Sequence, residues 1–410
     1  MSVMVIIVRY SINVSKMRYC SRCTYPEVAI SLSLDSDGIC SGCRMAETYN
    51  AISPNSWAER ERKFRELLAS YQSKNGSNYD CMIAVSGGKD SYWQTYLIKV
   101  VCGLNPLLVT YHGNRFLPEA QGNLDRMRDV FDVDHLVFGP STETLRKLNR
   151  ACFKKMGDMN WHDHAGIKTV PIIAAVKLGI PIVIWGEAPW IASGMFSPHG
   201  YVEYDKSTVI EHSMQGYGWQ DIVGEENLEP KDLVWLHFPS DEQIARIGMR
   251  GLYIGNFFKW DPSTHAQKMH EEYEFEFARH PFERTYCLTS NLDNMHGNGV
   301  HDYMKFVKFG YGRASDHTSD DIRTGYMSRE DGIGMVQKYD HIKPQFDLEC
   351  WLEYTGMTED EFDQIADTFR SPKVWWIENG QWVKDNIWGE PSAYGAVHLQ
   401  DPDQISRFQR

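Results

Sequence analysis

Residues 81–91 constrain the fold more than any other stretch, because an apolar run ends there abruptly in Ser-Gly-Gly-Lys-Asp-Ser and a helical pattern follows. The pattern predicts a buried strand at 81–85, a loop and a helix over 90–102. Two adjacent glycines adopt backbone angles closed to other residues and let main-chain N–H groups approach a bulky anion. The unpaired first-turn amides of the helix add donors and the positive end of its dipole. We therefore expect this loop to bind a polyphosphate.

The spacing of the loop separates it from two common nucleotide-binding loops. A Walker loop has four residues between its first glycine and its Gly-Lys, and neither that spacing nor the dinucleotide fingerprint is present. Ser-Gly-Gly-x-Asp-Ser after a strand instead resembles the PP-loop of the ATP pyrophosphatase superfamily. That resemblance implies cleavage of ATP between its α and β phosphates and adenylation of a substrate oxygen. The alternative interpretation is an ordinary glycine turn in an α/β domain.

Composition limits the class of protein. A length of 410 residues predicts two or three units, and 42% apolar residues exclude global disorder. No stretch reaches the roughly 18 apolar residues of a membrane-spanning helix, and no cleavage pattern follows the apolar residues 1–8, so we expect a cytoplasmic protein without a membrane span. Residues 1–16 are either an extension or an added strand. The net charge of -13 argues against a nucleic-acid partner.

Four of the nine cysteines form two Cys-x2-Cys pairs with sixteen residues between them, a spacing typical of four-cysteine zinc sites. The four candidate ligands are Cys20, Cys23, Cys40 and Cys43. Two such pairs complete a tetrahedron with no open position, which is the arrangement of structural zinc. In so short a segment the metal would supply folding energy on the order of 10–16 kcal/mol. We predict a zinc-ribbon-like unit at 17–55; disulfides and a redox or iron–sulfur pair are the alternatives.

Strand-like and helix-like segments alternate between residues 56 and 340, beginning with an amphipathic helix at 56–73. The predicted strands are 81–85, 107–111, 135–138, 180–185 and 252–258, and the predicted helices include 117–131, 142–156 and 166–178. Such alternation predicts an α/β fold with a doubly wound parallel sheet. Between 188 and 235 glycines and aromatics interrupt the pattern, which indicates an insertion or lid over the site.

A small C-terminal α+β extension is predicted at 341–390. Thr358 begins a capping-box sequence that predicts a helix start, and residues 374–388 predict a pair of tryptophan-rich strands. The tryptophans are interpreted as packing residues. We expect the tail after Glu390 to be loosely ordered.

Three candidate groups lie at the carboxyl ends of predicted strands, where doubly wound sheets bind ligands. Ser86 follows the first strand, and Glu187 ends the fourth. Tyr111 and His112 end the second strand and are candidate nucleotide contacts. We expect these strand ends to converge on one site.

Residues 291–323 form a second polar region, rich in His, Asp, Lys, Arg and Gly. Glycines at 310 and 312 predict a tight bend that presents together Arg313, Asp316 and His317. An arginine close to Lys305 and Lys308 suits an anionic ligand, either nucleotide phosphates or an acidic sugar. The alternative is a charged helix–turn–helix.

Together these motifs resemble the N-acetyl sugar amidotransferase family of PP-loop enzymes, from about residue 17 to residue 388. The segments that carry the resemblance are the two cysteine pairs and residues 86–91, 161–167, 184–187, 301–303 and 309–317. The resemblance implies an adenine nucleotide α-hydrolase-like fold. The sequence departs from the family pattern after Glu187, where it continues Ala188-Pro-Trp, and this departure leaves the identity of the sugar open.

The same resemblance implies a reaction. An ATP-dependent, AMP-forming amidotransferase adenylates the acetamido oxygen of a nucleotide- or lipid-linked N-acetylated sugar, and ammonia then displaces AMP to give an acetamidino sugar. Such sugars belong to bacterial surface polysaccharides, including the O-antigen of lipopolysaccharide, and to flagellar glycans. The implied cofactors are ATP, Mg²⁺ and Zn²⁺.

Residue roles are implied in the same way. The phosphate-binding residues are Ser86, Gly87, Gly88, Lys89 and Ser91. Asp90 is implied to bind a Mg²⁺ ion that neutralises the phosphates, and Glu187 to assist that metal or orient the acetamido nitrogen. The catalytic set is Lys89, Asp90, Glu187, Arg313 and Asp316, the last two contacting substrate or pyrophosphate with Lys305 and Lys308 behind them. His164 and His317 either shuttle protons or are hydrogen-bonded structural groups.

Ammonia requires a source, and we find no glutaminase signature in this chain. The second residue is serine rather than an N-terminal cysteine, and no separate nucleophile–histidine domain is recognisable. Enzymes of the resembled family are fed by a separate glutaminase with a cyclase-like partner. We therefore expect both as partner subunits.

Two other functions stay open. A PP-loop tRNA-modifying enzyme, of the thiolation or lysidine-ligase type, would have Cys152 and Cys287 as candidate sulfur carriers, but the acidic net charge argues against it. A nucleotide-binding scaffold that has lost catalysis is the third interpretation. The intact Lys89, Asp90 and Ser91 argue against the scaffold.

Overall fold

The computed structural model describes residues 16–187, 197–290, 292–294 and 297–409. A five-stranded, all-parallel sheet has the strand order β3-β2-β1-β4-β5. Its strands are β1 (Cys81–Ala84), β2 (Pro106–Tyr111), β3 (Asp134–Phe138), β4 (Ile182–Trp185) and β5 (Arg250–Tyr253). The prediction of an α/β fold with a parallel sheet is confirmed. Of residues 1–16, interpreted above as an extension or a strand, all but residue 16 lie outside the described residues.

The strand order reverses between β1 and β4. The chain moves outward from β1 through β2 and β3, and then returns to continue on the other side with β4 and β5. In the register, Ile83 of β1 lies opposite Leu108 of β2 and Ile184 of β4. A crevice opens at such a switch point, outside the carboxyl ends of the strands. The segments that follow β1 and β4 therefore border the same crevice.

β1 is an unbroken apolar strand because both faces of the sheet are covered. Met82 belongs to the apolar core on one face, and Ile83 to the core on the other. β3 is an edge strand, where Leu136 and Val137 stay exposed. The loop that follows β1 is thus anchored on an enclosed, central strand.

Helices lie in the connections between the strands and on either side of the sheet in the chain. They are α1 (Ser41–Asn50), α2 (Pro54–Tyr71), α3 (Lys89–Thr95), α4 (Pro118–Phe131), α5 (Thr142–Met156), α6 (Trp161–Leu178), α7 (Lys206–Thr208), α8 (Asp241–Arg246), α9 (Pro262–Tyr273), α10 (Gly297–Phe309), α11 (Arg313–Thr324), α12 (Arg329–Tyr339), α13 (Gln345–Thr355), α14 (Glu359–Thr368) and α15 (Pro402–Ser406). Among the described residues, no helix combines the length and apolarity that crossing a bilayer requires.

Three predicted elements have different bounds in the structure. α3 ends at Thr95 and continues as a π-helical turn, Tyr96–Val101, instead of running to residue 102 as one α-helix. α6 begins at Trp161 rather than 166, so the Trp-His-Asp-His sequence forms its first turn. β5 ends early and a 3-10 turn, Ile254–Asn256, follows it. That turn lets the Asn256 carbonyl accept a hydrogen bond from Arg60, a long-range contact that strand periodicity does not reveal.

The C-terminal residues form a second, antiparallel sheet of β6 (Trp375–Glu378), β7 (Gln381–Lys384) and β8 (Ser392–Ala396). The predicted strand pair and the capping box at Thr358 are confirmed. The expectation of a loosely ordered tail after Glu390 is wrong, since β8 pairs with β7. Its Tyr394 packs against Phe306 and Trp375, which anchors the strand.

Helix α10 shares a core with the C-terminal elements. Its Val300 and Val307 lie in one apolar cluster with Trp351 and Trp375. The cluster contains residues from both sides of the boundary predicted at residue 340. The predicted domain boundaries stay predictions. Of the predicted lid at 188–235, residues 188–196, including the family departure at Ala188, lie outside the described residues. Trp235 lies buried in the core beside the sheet.

Candidate functional site

The loop after β1, residues 85–88, is a tight turn into helix α3. Gly87 has φ +79°, and a Cβ there would come within 3.0 Å of the Ala120 carbonyl and of Leu124 on α4. Glycine is therefore required both by the backbone conformation and by the close approach of α4. The Ser86 N–H donates to the Ser91 hydroxyl at 2.8 Å, which holds the loop against the first turn of α3.

Gly88 is the N-cap of α3, and no described side chain caps that helix end. Its first-turn amides therefore stay available for an anion. A cavity of about 130 Å³ borders this helix start. It is lined by Ser86, Gly88, Lys89, Asp90, Thr289, Ser290, Leu292 and Asp293. We call this space the loop pocket.

Lys89 and Asp90 form an ion pair at the N-terminus of α3, with 2.5 Å between Nζ and Oδ2. Burial lowers the pKa of Lys89, but the charge and hydrogen bond of Asp90 outweigh that effect and raise it overall. Lys89 is therefore a cation at neutral pH. The other carboxylate oxygen, Oδ1 of Asp90, is buried and has no hydrogen-bond partner among the described residues. An unpaired carboxylate oxygen is the kind of hard oxygen ligand that Mg²⁺ prefers.

Glu187 follows β4 and lies close enough to the loop to respond to its charges. Burial among protein atoms and the negative charges of Asp90 and Asp320 raise the pKa of Glu187 to about 8, against the effect of Lys89. The Glu187 side chain is exposed to solvent, and water weakens the effect of these neighbours on its pKa. The upward shift favours the neutral carboxylic acid of Glu187 over its carboxylate.

A cavity of about 120 Å³, here called the acidic pocket, surrounds Glu187. Its wall includes Tyr49 of α1, Trp260 and Asp261, and two residues of α11, Asp320 and Arg323. The protein atoms packed around Asp320 raise its pKa to about 6, although Arg323 lowers it and about half of the side chain stays exposed. Sequence analysis did not single out Asp320. The feature of the sequence that could have identified Asp320 is its position one helical turn after Asp316, on the same face of α11.

Tyr111 and His112 have contacts that do not involve the loop. The Tyr111 ring stacks on Trp235 at 4.6 Å, and its hydroxyl lies 3.2 Å from Nδ1 of His162. His112 lies 2.9 Å from Oε1 of Gln121 through its Nε2 atom and stacks on a neighbouring aromatic ring. Their role as nucleotide contacts stays a prediction.

Arg313 and Asp316 lie together at the start of α11, as part of an ion-pair network with α10. Lys305 contacts Asp316 at 2.5 Å, and Arg313 donates to Asp302 at 3.0 Å. Tyr25 of the cysteine unit donates to Asp316 at 2.8 Å. The charges of Lys305 and Arg313 lower the pKa of Asp316 despite its burial. Asp316 is therefore an anion held by two donors, Lys305 and Tyr25.

His317, predicted to be presented with these two residues, turns towards the loop pocket instead. Its Nδ1 lies 2.6 Å from Oγ1 of Thr285, and its Nε2 lies 3.0 Å from Oγ of Ser290. Burial and the charge of Arg313 lower the pKa of His317 to about 4. A neutral imidazole with both nitrogens engaged positions Ser290 in the wall of the loop pocket. His164 lies elsewhere, beside Asp158 and His301.

The four predicted zinc ligands form a buried cluster whose sulfur atoms all lie within 4.8 Å of one another. The Sγ atoms of Cys20 and Cys43 are 3.9 Å apart, and those of Cys23 and Cys40 are 3.6 Å apart. A tetrahedral zinc with bonds of about 2.3 Å separates its sulfurs by about 3.8 Å. The donor set and spacing therefore fit one structural zinc.

The cysteine unit packs on α11 and α12. Thr24 donates to the Ser315 carbonyl at 3.2 Å, and Arg329 donates to the carbonyls of Cys20 and Cys23. Arg323 donates to the sulfur of Cys40 at 3.6 Å and also lines the acidic pocket. The cysteine unit thus supports the helix that carries the candidate site residues.

Comparison with known proteins gives a match on the C-terminal part of the chain. The family model described as "LPS biosynthesis protein WbpG-like, C-terminal domain" matches residues 273–386. That segment contains α10 to α14 and hence the Arg313, Asp316, His317 and Asp320 side chains. The loop after β1 and the cysteine cluster lie outside it.

The chain is also similar to the uncharacterized protein MJ1599 of Methanocaldococcus jannaschii. The two are 28% identical over 119 residues, which is 29% of this chain and 41% of that protein. The similarity thus spans less than half of either chain.

Proposed function

We propose that this chain is an ATP-dependent, AMP-forming amidotransferase that converts the acetamido group of an N-acetylated sugar into an acetamidino group for a bacterial surface polysaccharide. The observation that carries the proposal is the arrangement after β1, where unpaired helix amides, Lys89 and Asp90 border one small pocket. The opposite wall of that pocket belongs to the segment that matches a lipopolysaccharide-biosynthesis family model. This match supports a role in the synthesis of a surface polysaccharide.

The reaction follows from the weak electrophilicity of an amide. The acetamido oxygen attacks the α-phosphorus of ATP, the bond to the β-phosphate breaks, and pyrophosphate leaves. The resulting imidoyl carbon carries AMP, a good leaving group. Ammonia adds to that carbon, a proton is lost, and AMP leaves with the original amide oxygen. The product is an amidine that contains the nitrogen of ammonia.

The loop contributes position and charge rather than covalent chemistry. Main-chain amides at 87–88 and in the first turn of α3 bind the phosphate oxygens, and Lys89 adds a cation. Each preorganised donor aimed at developing charge contributes on the order of 3 kcal/mol in such reactions. A Mg²⁺ ion held by Asp90 would neutralise phosphate charge when bound.

Glu187 orients the acetamido group in this proposal. A neutral carboxylic acid both donates and accepts a hydrogen bond, which matches the N–H and oxygen of an amide. The raised pKa of Glu187, about 8, favours that form over the carboxylate.

Ammonia comes from partner subunits in this proposal, a glutaminase with a cyclase-like companion. The isolated chain is then expected to use ammonium salts and to be inactive with glutamine alone. Incubation with ATP, an N-acetylated nucleotide sugar and ¹⁵N-labelled ammonium should replace one sugar oxygen with labelled nitrogen. Mass spectrometry of the sugar detects that exchange, and labelled ammonium that never enters any tested sugar, with ATP cleaved or not, would contradict the proposal.

A tRNA-modifying enzyme is the second candidate, favoured by one observation. Cys287 is half-buried and lies 3.7 Å from the hydroxyl of Ser290, which lines the loop pocket. Cys152, the other candidate sulfur carrier, is buried in the core of the sheet and has no access to a substrate. A thiolation mechanism would therefore have to use Cys287.

A further inference from the structure

A second group of metal-ligand side chains lies away from the four cysteines. Asp158, His164 and His301 offer three ligand atoms that all lie within 4.8 Å of one another. His301 Nε2 is 3.5 Å from one oxygen of Asp158, and His164 Nδ1 is 4.0 Å from the other. The two imidazole rings stand edge to face at 5.5 Å.

Three separate elements bring these groups together. Asp158 lies in the turn between α5 and α6, His164 is in the first turn of α6, and His301 belongs to α10. Asp158 is buried, and its oxygens accept from the Asn160 N–H at 3.0 Å and from Gln215 at 2.6 Å. The carboxylate is therefore fixed in place before any ion binds.

The histidine on α10 has the outer partner that metal-bound imidazoles usually have. Nδ1 of His301 lies 3.8 Å from Oδ1 of Asp302, on the side of the ring away from Asp158. Asp302 is itself held by Arg313 at 3.0 Å. At 3.8 Å the contact between His301 and Asp302 is a charge contact rather than a hydrogen bond, and it places a carboxylate behind the ring.

The cluster opens onto a cavity of about 700 Å³. Lys305, Lys308 and Arg313 line the same cavity, and Lys308 donates to the Met156 carbonyl at 2.9 Å. A buried histidine–aspartate cluster in a dry core has a purely structural explanation, but this one borders a large cavity with charged side chains in its wall. Three protein ligands would leave coordination positions directed at that space.

We propose that Asp158, His164 and His301 bind one divalent transition-metal ion, as a two-histidine, one-carboxylate site separate from the four-cysteine cluster. Two imidazoles and a carboxylate are a donor set for Zn²⁺, Co²⁺ or Fe²⁺ rather than for Mg²⁺. Bonds of about 2.1 Å place neighbouring ligand atoms about 3.0–3.4 Å apart, so the His164 and Asp158 atoms, 4.0 Å apart here, close in by about 0.6–1.0 Å on binding. The open positions, with cationic side chains near them, would take an anionic oxygen ligand such as a phosphate.

The proposal stands independently of the amidotransferase chemistry, and its test measures metal binding alone. The full chain, zinc-loaded and without affinity histidines, is titrated with Co²⁺ while visible absorption is recorded. We expect d–d bands that saturate at one Co²⁺ per chain without thiolate-to-cobalt charge transfer, because the thiolates hold zinc. Such bands report nitrogen and oxygen ligands only.

The variants are His164→Ala, His301→Ala and the double substitution, with His212→Ala as the matched control. His212 lines the same cavity but is exposed and outside the cluster. Each single variant should weaken Co²⁺ binding at least about tenfold, and the double variant should abolish the bands. Circular dichroism and retained cysteine-bound zinc show that each variant is folded. The proposal is overturned if no Co²⁺ binds through nitrogen and oxygen ligands alone. It is also overturned if the double variant keeps the same bands.

Discussion

The guanidinium of Arg323 donates to the sulfur of Cys40, with 3.6 Å between Nη2 and Sγ. The Nη1 atom of the same group lies 3.3 Å from Oδ1 of Asp320 in the acidic pocket. One side chain thus joins the cysteine cluster to the pocket that contains Glu187. We infer that the folding of the cysteine unit and the arrangement of charged side chains in the acidic pocket depend on each other.

The cysteine cluster gives the first prediction. Cys20→Ser should lose one zinc per chain relative to the unsubstituted protein, because serine does not replace a thiolate in a closed four-sulfur site. It should also unfold at lower temperature, since zinc binding supplies folding energy to the unit. Elemental analysis by mass spectrometry measures the metal. Cys350→Ser, outside the cluster, is the control and should keep the zinc; equal zinc in both variants would refute the assignment.

Gly87→Ala tests the loop. The substitution forces a left-handed backbone angle that costs about 1–2 kcal/mol, and it also places a methyl group against Ala120 and Leu124. Gly179→Ala is matched, because Gly179 has φ +67° and no described atom lies within 4 Å of the place its new methyl group would take. Gly87→Ala should therefore be the less stable of the two in chemical unfolding and should lose ATP turnover. Equal stability and activity would show that the loop is not tightly packed.

Glu187 gives a pH prediction. Its pKa of about 8 in the folded chain lies above its ordinary value of 4.5, so the unfolded chain releases this proton first. Stability contributed by the neutral acid is present at low pH and is lost as pH rises from about 4.5 to 8. Glu187→Gln should remove this part of the loss of stability. The stability of the variant relative to the unsubstituted chain should therefore increase as pH rises across that window.

The measurement is the thermal midpoint of both chains between pH 5 and pH 9. Asp320, with a pKa of about 6, titrates in the same window and interacts with Glu187, so the comparison is repeated in an Asp320→Asn background. The pH profile of kcat/KM should also lose its alkaline limb in Glu187→Gln. A constant difference in midpoint across the window would mean that Glu187 titrates normally.

Cys287 separates the two candidate functions. If the chain is an amidotransferase, Cys287→Ser should keep kcat within about twofold, because serine preserves the hydrogen bonds to Thr289 and Ser290. If the chain transfers sulfur through Cys287, the same variant should be inactive. Amidine formation with ammonium and release of labelled sulfur to bulk tRNA are the two assays to compare.

The elements that could be predicted from the sequence are those with a strong local signal. The apolar run before Ser86, the paired glycines and the Cys-x2-Cys pairs each specify their structure within a few residues. The parallel sheet followed from regular alternation. Strand β8 was missed because Ser-Ala-Tyr-Gly-Ala has weak strand preference, and its stability comes from Tyr394 packing on Phe306.

The parts of the site that depend on distant contacts could not be predicted. Tyr111 has the right place at a strand end, but Trp235, far along the chain, covers its ring. Likewise, nothing in the local pattern brings Asp158 and His164 to His301, since α10 reaches them only through the tertiary fold. Periodicity reports which face of an element is apolar, and not which element covers it.

The nucleotide products test the central claim most directly. The purified chain, given ATP, Mg²⁺, ammonium and an N-acetylated nucleotide sugar, should release AMP and pyrophosphate in equal amounts. Lys89→Met should slow that release by ~100-fold, because it removes a preorganised cation from the loop pocket. Release of ADP and orthophosphate instead would contradict the account.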